Sequence, residues 1–496
     1  MARSLRFDGK NLKGLLYARL ALPSPTIGQA AASLSILGAI ALGFLCGAAV
    51  MFYQWPCAVF LDNCFSGARA WLARGHSTLV PPPSGAAAKE FEGVSVDKTE
   101  KTCDGFTLYT MTDGTRAALI DMRGNVVHRW ELPFRQAWSQ APHVAAPLAD
   151  DHIHWFCCRL FANGDLLAIY HADGDTPYGY GLVKLDKDSK LIWAYADNIH
   201  HDVEVGEDGN IYTLTQEIST QAPDGMKRYL SVPVLTDSLV VLSPEGRKLE
   251  QVPLLEALRD SPYVLTLTSL TKESVPFADD KTASADSPPS YTAQSDLYNV
   301  SDKIQKLPWR KDLLHANSVR VLPRALASKF PLFKPGQVLI SLRSLDTLVV
   351  VDWHSRSVVW ACNGVWRGQH DAEFLENGRL LLYDNIGSLI KGTRVLEYDP
   401  LTQAIPWCYA NEHSAPFRAV MRGMLQRLPN GNTLIVDPDH QRLLEVTRDK
   451  EVAWECYCPS APVPQGQQRR ARIITSARRY RPEELTFLKG VARVRP

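Results

Sequence analysis

Short apolar runs, each closed by a turn signal, follow one another along most of this chain, and two signatures recur in them. The first is an apolar strand, a turn, and a second strand carrying Trp near its end. LIDMRGNVVHRWEL carries Trp130, VKLDKDSKLIWAY Trp193, VVVDWHSRSVVWAC Trp360, LEYDPLTQAIPWCY Trp407 and LLEVTRDKEVAWECY Trp454. VVLSPEGRKLEQVPL is a degenerate copy with Val252 in the Trp place. The second signature is Asn/Asp-Gly before an apolar strand: Asn163-Gly164, Asp208-Gly209, Asn377-Gly378 and Asn430-Gly431, with Pro335-Gly336 a weaker case. Strand, tight turn, strand is half of a small antiparallel sheet. Six copies of a unit of about 40 residues or a little more predict an all-β, six-bladed β-propeller. The Trp and Leu stripes then read as packing between blades.

The N-terminal pattern is different. No charged residue occurs from Ile27 to Trp55, and Leu34 to Tyr53 is apolar or small, which is long enough for a membrane-spanning helix. Arg3, Arg6, Lys10, Lys13 and Arg19 precede it against Asp8, so the positive-inside rule places the N-terminus in the cytoplasm. The bulk of the chain is then periplasmic or otherwise exoplasmic. A cleaved signal peptide is the rival reading; the long apolar run and long basic lead-in favour the retained helix.

The expected organisation is therefore a cytoplasmic basic segment (1–26), a transmembrane helix (27–55), a Pro-, Gly- and Ala-rich stalk (56–102), the propeller (103–458) and a basic C-terminal tail (459–496). That tail either adds a closing strand or lies on the surface. Two insertions interrupt the period, at about 134–151 and 258–314; on a propeller such loops shape a rim. With 45% hydrophobic residues and a net charge of +1, the composition is that of a globular protein and argues against nucleic acid as a partner. Of the 10 cysteines, Cys57 with Cys64, Cys157 with Cys158, and Cys456 with Cys458 are the candidates for disulfides in an exported chain.

Chemistry enters through histidine. GQHDAEFLENGRLLLYDN sets His370 seven residues before Asn377, and IHHDVEVGEDGNIYTL sets His201 seven before Asp208. His315, in LLHANSVRVLP, opens a similar strand. A single His on a strand is usually structural; three at equivalent strand starts converge near one end of a central channel. Three imidazoles could hold a metal such as zinc. Asp202 and Asp371 would then orient the rings, but pleat alternation sends each Asp away from its His. Arg343, in ISLRSLDTLVV, adds a cation beside them, and arginine with imidazoles forms a cup for a tetrahedral oxyanion, sulfate or phosphate.

These motifs, with DGFTLYTM, LIDMRGNVVHRW, NGDLL, SLRSLDTLVVVD, TRVLEYDP and LPNGNTLI, resemble the arylsulfotransferase family, the bacterial aryl-sulfate sulfotransferases that need no nucleotide sulfate donor. The resemblance runs from about Asp104 to Tyr457. It implies a six-bladed propeller and a ping-pong transfer of a sulfuryl group from an aryl sulfate to a phenol through a sulfohistidine. His370 is the implied nucleophile; His201, His315 and Arg343 are the implied sulfuryl-binding partners. His200 is the alternative to His201, since the doublet leaves the register open by one. The resemblance implies no cofactor and no metal. An alternative reading is a catalytically silent propeller serving as a binding or assembly subunit of a membrane complex, with the membrane helix as its attachment. A metal- or quinone-dependent propeller enzyme is a third.

Overall fold

The strands of this chain are apolar on both faces because both faces are covered. Ile153–Leu160, Leu166–Ala172 and Val338–Leu342 are buried along their whole length. Outermost strands such as Leu191–Tyr195 and Lys248–Pro253 turn several residues to solvent. A computed structural model describes residues 92–222, 226, 232–269, 312–388, 392–410, 417, 419, 421–459 and 472–489.

Among these residues the strands form six antiparallel sheets, five of four strands and one of five. Neighbouring sheets touch through their innermost strands and the ring closes on itself, giving the six-bladed β-propeller. In chain order, blades 2 to 5 begin on the inner strands Ile153–Leu160, Ile199–Val205, Ala316–Val321 and His370–Phe374, and blade 6 on Leu425–Arg427. Blade 1 takes its inner strand from the other end of the chain: Ile474–Tyr480 pairs with Phe106–Met111. The ring is latched a second time where Gly93–Asp97 pairs with the outer strand Val452–Tyr457 of blade 6. The propeller boundaries at 103 and 458 are thus corrected at both ends. Part of the expected stalk and part of the expected tail are strands, because a ring has no free edge only when its ends pair.

The tryptophans do more than fill space. Trp130, Trp407 and Trp454 are buried, while Trp193 and Trp360 are half-buried. The indole N–H of Trp130 donates to Gly164 O (3.0 Å), of Trp193 to Pro244 O (3.2 Å), of Trp407 to Arg448 O (2.9 Å) and of Trp454 to Met122 O (2.9 Å). Each acceptor lies in a turn of the next blade round the ring.

The first insertion carries the short helix Phe134–Ala137, whose Phe134 and nearby Trp138 pack on Tyr170 and Tyr180 of blade 2. The second begins as the helix Leu254–Arg259, seated by Leu254, Leu255 and Leu258; residues 270–311 lie outside the described ones. So do the basic segment 1–26, the predicted membrane helix 27–55 and the pair Cys57 and Cys64. No helix among the described residues is long and apolar enough to cross a membrane. Cys157, Cys158, Cys456 and Cys458 are free thiols, which corrects the disulfide expectation for both pairs. Cys157 and Cys158 are adjacent on one strand, so the pleat sends their side chains into different hydrophobic clusters.

Candidate active site

The inner strands of blades 2 to 5 each carry a register irregularity near the start. Around these bulges the backbone is left-handed at non-glycine residues: His201 (φ 56°), His315 (φ 48°) and Asp371 (φ 45°). Non-glycine residues there are uncommon, and bulges re-aim side chains. Here they aim imidazoles inward. Nitrogens of His201, His315 and His370 lie within 4.8 Å of one another. The His201 and His315 ring centroids are 4.9 Å apart, and those of His315 and His370 6.4 Å. The three predicted histidines therefore do come together, and His201 rather than His200 is the member of the doublet facing the other two.

His370 is held by its neighbours in the motif. Gln369, fully buried, donates through Nε2 to Ser341 Oγ (3.1 Å), Leu342 O (3.2 Å) and Thr347 O (3.0 Å), fastening this corner to blade 4. Gly368 sits at φ 59°, where a Cβ would come within 3.0 Å of Ile386. The Nδ1 of His370 lies 2.8 Å from Asn385 Oδ1 and 3.2 Å from Gly368 O. The Asn385 amide cannot be turned round. Its Nδ2 donates to Ala419 O (2.9 Å) and to Arg422 O, so its oxygen faces the histidine. Both atoms facing Nδ1 are acceptors. Nδ1 therefore carries the proton, and Nε2 keeps its lone pair. Burial, then Arg343 and His315, holds the His370 pKa well below the ordinary imidazole value, so the ring is neutral around pH 7.

The other rings are backed by carboxylates. His315 donates from Nδ1 to Asp312 Oδ2 (2.7 Å) and from its backbone N–H to Asp312 Oδ1 (3.2 Å). Asp312 also accepts from Tyr178 OH (3.2 Å). The Nδ1 atoms of His201 and His200 are 2.8 Å apart, and His200 Nε2 is 3.3 Å from Asp237 Oδ1. Burial, then His315 and His200, lowers the His201 pKa well below the ordinary value. Arg343 starts a tight turn after Val338–Leu342 rather than lying within a strand. Its backbone N–H donates to His315 O (3.1 Å), and its Nη2 lies 3.8 Å from where a Gly368 side chain would begin. The site is nearly closed: His370 and His201 keep 5% and 6% of their surface, and only the His315 side chain is about a fifth exposed.

Asp202 and Asp371 do not orient these imidazoles. Both turn away and bind one guanidinium, Arg320, with Arg159 adding a second contact to Asp202 (2.9 Å). They also accept backbone N–H groups of the next blade, Val319 for Asp202 (3.1 Å) and Leu425 for Asp371 (2.7 Å). Their work is joining blades. Sequence reasoning passed over Arg320, although an arginine among Val319, Val321 and Leu322 carries the same signal as Arg343. It also passed over Asp312, three residues before His315, and the roles of Asn385, Tyr178 and Asp237.

Among the described residues, two side-chain groups could hold a metal ion by spacing: the three site histidines, and His154, His171 and Asp173 beside them. In the second group Arg422 donates to Asp173 Oδ1 (3.0 Å), so a guanidinium occupies the cation's place. In the first, Arg343 disfavours a cation and favours an anion with oxygens to share among the rings.

The arylsulfotransferase (ASST) family profile matches residues 159–458. Among curated proteins none matches the chain. Solved structures that are similar include a protein of unknown function from Bacteroides caccae, at 10% identity and TM-score 0.43, covering 71% of this chain and 94% of that one. A streptogramin B lyase matches at 9% identity and TM-score 0.36, over 75% and 83% of the two chains. Virginiamycin B lyase from Staphylococcus aureus matches at 7% and TM-score 0.31, over 64% and 74%. Likeness this distant says nothing about what this chain binds.

Proposed function

The chain belongs to the arylsulfotransferase family, and from that premise we propose that it moves a sulfuryl group from an aryl sulfate to a phenol through a sulfohistidine on His370. The observation that carries this reading is the fixed Asn385 amide, which leaves a neutral His370 with its Nε2 lone pair free beside His201, His315 and Arg343. In the first half-reaction Nε2 attacks sulfur, the S–O bond breaks, and the phenolate leaves with the electron pair. In the second, the acceptor oxygen attacks sulfur and the S–N bond breaks, returning its pair to His370. Sulfuryl transfer resembles phosphoryl transfer in spreading charge over peripheral oxygens, so positioning and cationic donors carry most of the catalysis. Arg343 and an N–H of His201 are the donors at hand; His315, whose Nδ1–H goes to Asp312, donates from Nε2 as the imidazolium. Removing one should raise the barrier by about 2.7–4 kcal/mol, the loss typical of an oxyanion donor.

The experiment is transfer from 4-nitrophenyl sulfate to phenol by the purified protein and its His370→Ala variant, read as nitrophenolate release. Turnover by the parent and its loss in the variant is the expected result. Equal rates in both would remove His370 as nucleophile, and no turnover by well-folded parent with several phenols would move the reading to a binding subunit.

We also propose that residues 27–55 tether the propeller to a membrane from its periplasmic or exoplasmic side, on the charge asymmetry of the N-terminal segment. Protein released from membranes by alkaline carbonate without detergent would contradict this.

A further inference from the structure

The doublet His200-His201 holds two imidazoles with different neighbours. His201 faces the site. His200 is fully buried behind it, between His201 Nδ1 (2.8 Å) and Asp237 Oδ1 (3.3 Å). Asp237 is itself fixed, accepting the Ala316 N–H at Oδ2 (3.1 Å) and the Gln216 amide at Oδ1 (3.4 Å). Gln216 Nε2 also donates to Tyr178 OH (3.2 Å), which donates to Asp312 behind His315. Two nitrogens 2.8 Å apart must share a proton, one donating and one accepting.

We propose that His200 is a positioning residue that stores the proton exchanged between the site and the two phenols, through His201 and against Asp237. This rests on the sulfuryl-transfer reading. Before reaction His200 carries both its protons, its charge facing Asp237 as an ion pair with Nε2 3.3 Å from Oδ1, and its Nδ1–H given to His201 Nδ1. His201 is then neutral with Nε2–H turned into the site. As His370 Nε2 bonds sulfur, the S–O bond breaks and the leaving oxygen keeps the electron pair. That oxygen takes the proton from His201 Nε2, and the shared proton crosses from His200 Nδ1 to His201 Nδ1. His200 is left neutral, its Nε2 still facing Asp237. In the second half-reaction the acceptor phenol gives its proton to His201 Nε2 while its oxygen bonds sulfur and the S–N bond breaks. The shared proton returns to His200, and every atom and charge is restored.

The charged and titratable groups around the pair are Asp237 on its own blade, His171 and Tyr178 on blade 2, Asp312 and His315 at blade 4, and His370 on blade 5. Asp312 is occupied by His315, which leaves Asp237 as the carboxylate that touches His200. The lowered pKa of buried His201 agrees with its being the neutral member of the pair.

Donors of different leaving-group basicity test the assignment. Nitrophenolate is stable without a proton; phenolate from phenyl sulfate needs one. In a ping-pong reaction kcat/KM for the donor reports the first half-reaction alone; His200→Ala should lower it about 100-fold for phenyl sulfate, the lower end of general-acid contributions, and far less for 4-nitrophenyl sulfate. Asp237→Asn keeps an oxygen for Ala316 and should give the same donor-selective loss, and it decides the question if His200→Ala does not fold. A loss equal on both donors, or none on either, would overturn the proposal, since a packing defect has no reason to sense the leaving group. A parent inactive on both donors would instead remove the transferase reading, and the relay with it.

Discussion

The Nδ1 proton of His370 depends on Asn385, whose amide is fixed by carbonyls of Ala419 and Arg422, 34 and 37 residues further along the chain. Arg422 is anchored in turn on Asp173, 249 residues away. Asn385→Ala should therefore lower kcat on the order of 10²-fold with KM little changed, because the ring binds as before but presents the wrong nitrogen nearly all of the time. A KM effect with intact kcat would place Asn385 in substrate binding instead. His201, His315 and His370 are legible in the sequence because they open equivalent strands, and Arg343 because it is a cation in an apolar run. The role of Asn385 is not, because its partners are contacts in space. The same holds for Asp237 behind His200.

At the scale of single elements, the repeated hairpins carry most of the readable information. Each blade has one copy of the Trp signature, with Val252 in blade 3. The Asn/Asp/Pro-Gly turns that join the first two strands of a blade number five, in blades 2 to 6, because the inner hairpin of blade 1 is assembled from opposite ends of the chain. What each tryptophan does is invisible in the repeat. Trp454, fully buried, spans blades 6 and 1 by donating to Met122 O and lies under Arg479, at 4.6 Å from its ring centroid. Trp454→Phe leaves that carbonyl without its donor and should cost about 1–3 kcal/mol in urea unfolding. Trp193→Phe, at a half-buried indole, should cost clearly less. Equal costs would mean that the inter-blade hydrogen bond counts the same whether or not it is buried. The left-handed bulges at His201 and Asp371 are equally silent in the sequence, since neither position is a glycine.

Across the whole molecule, the channel gathers more carboxylates than guanidinium groups: Asp202, Glu204, Asp371 and Glu373 around Arg159 and Arg320. Burial, then the charge of Asp371, raises the Glu373 carboxyl from 4.5 to about 7. The folded state then keeps a proton that the unfolded chain releases near its ordinary value. Stability from this group falls as pH rises from about 4.5 to about 7 and stays low above that. Buried neutral His201 and His370 act in the opposite sense, being stabilising above an imidazole's ordinary value and unfavourable as pH falls below it. Comparing Glu373→Gln with the parent isolates the carboxyl. The variant should gain stability relative to the parent between about pH 5 and about pH 8, read as the shift in urea midpoint. A gap that does not change with pH would show that Glu373 is ionised throughout.

The sequence by itself determined the fold class, the number of blades and the three histidines that meet at the candidate site, because a repeat prints its period and sets like residues at the starts of like strands. Tertiary structure alone decided how the ring closes, which histidine of the doublet faces the site, and which nitrogen of His370 is free. Those depend on Ile474–Tyr480 meeting Phe106–Met111, on a bulge that turns His201 inward, and on Asn385 meeting carbonyls far along the chain. Such pairings are set by closure of the whole ring, and no local pattern records them.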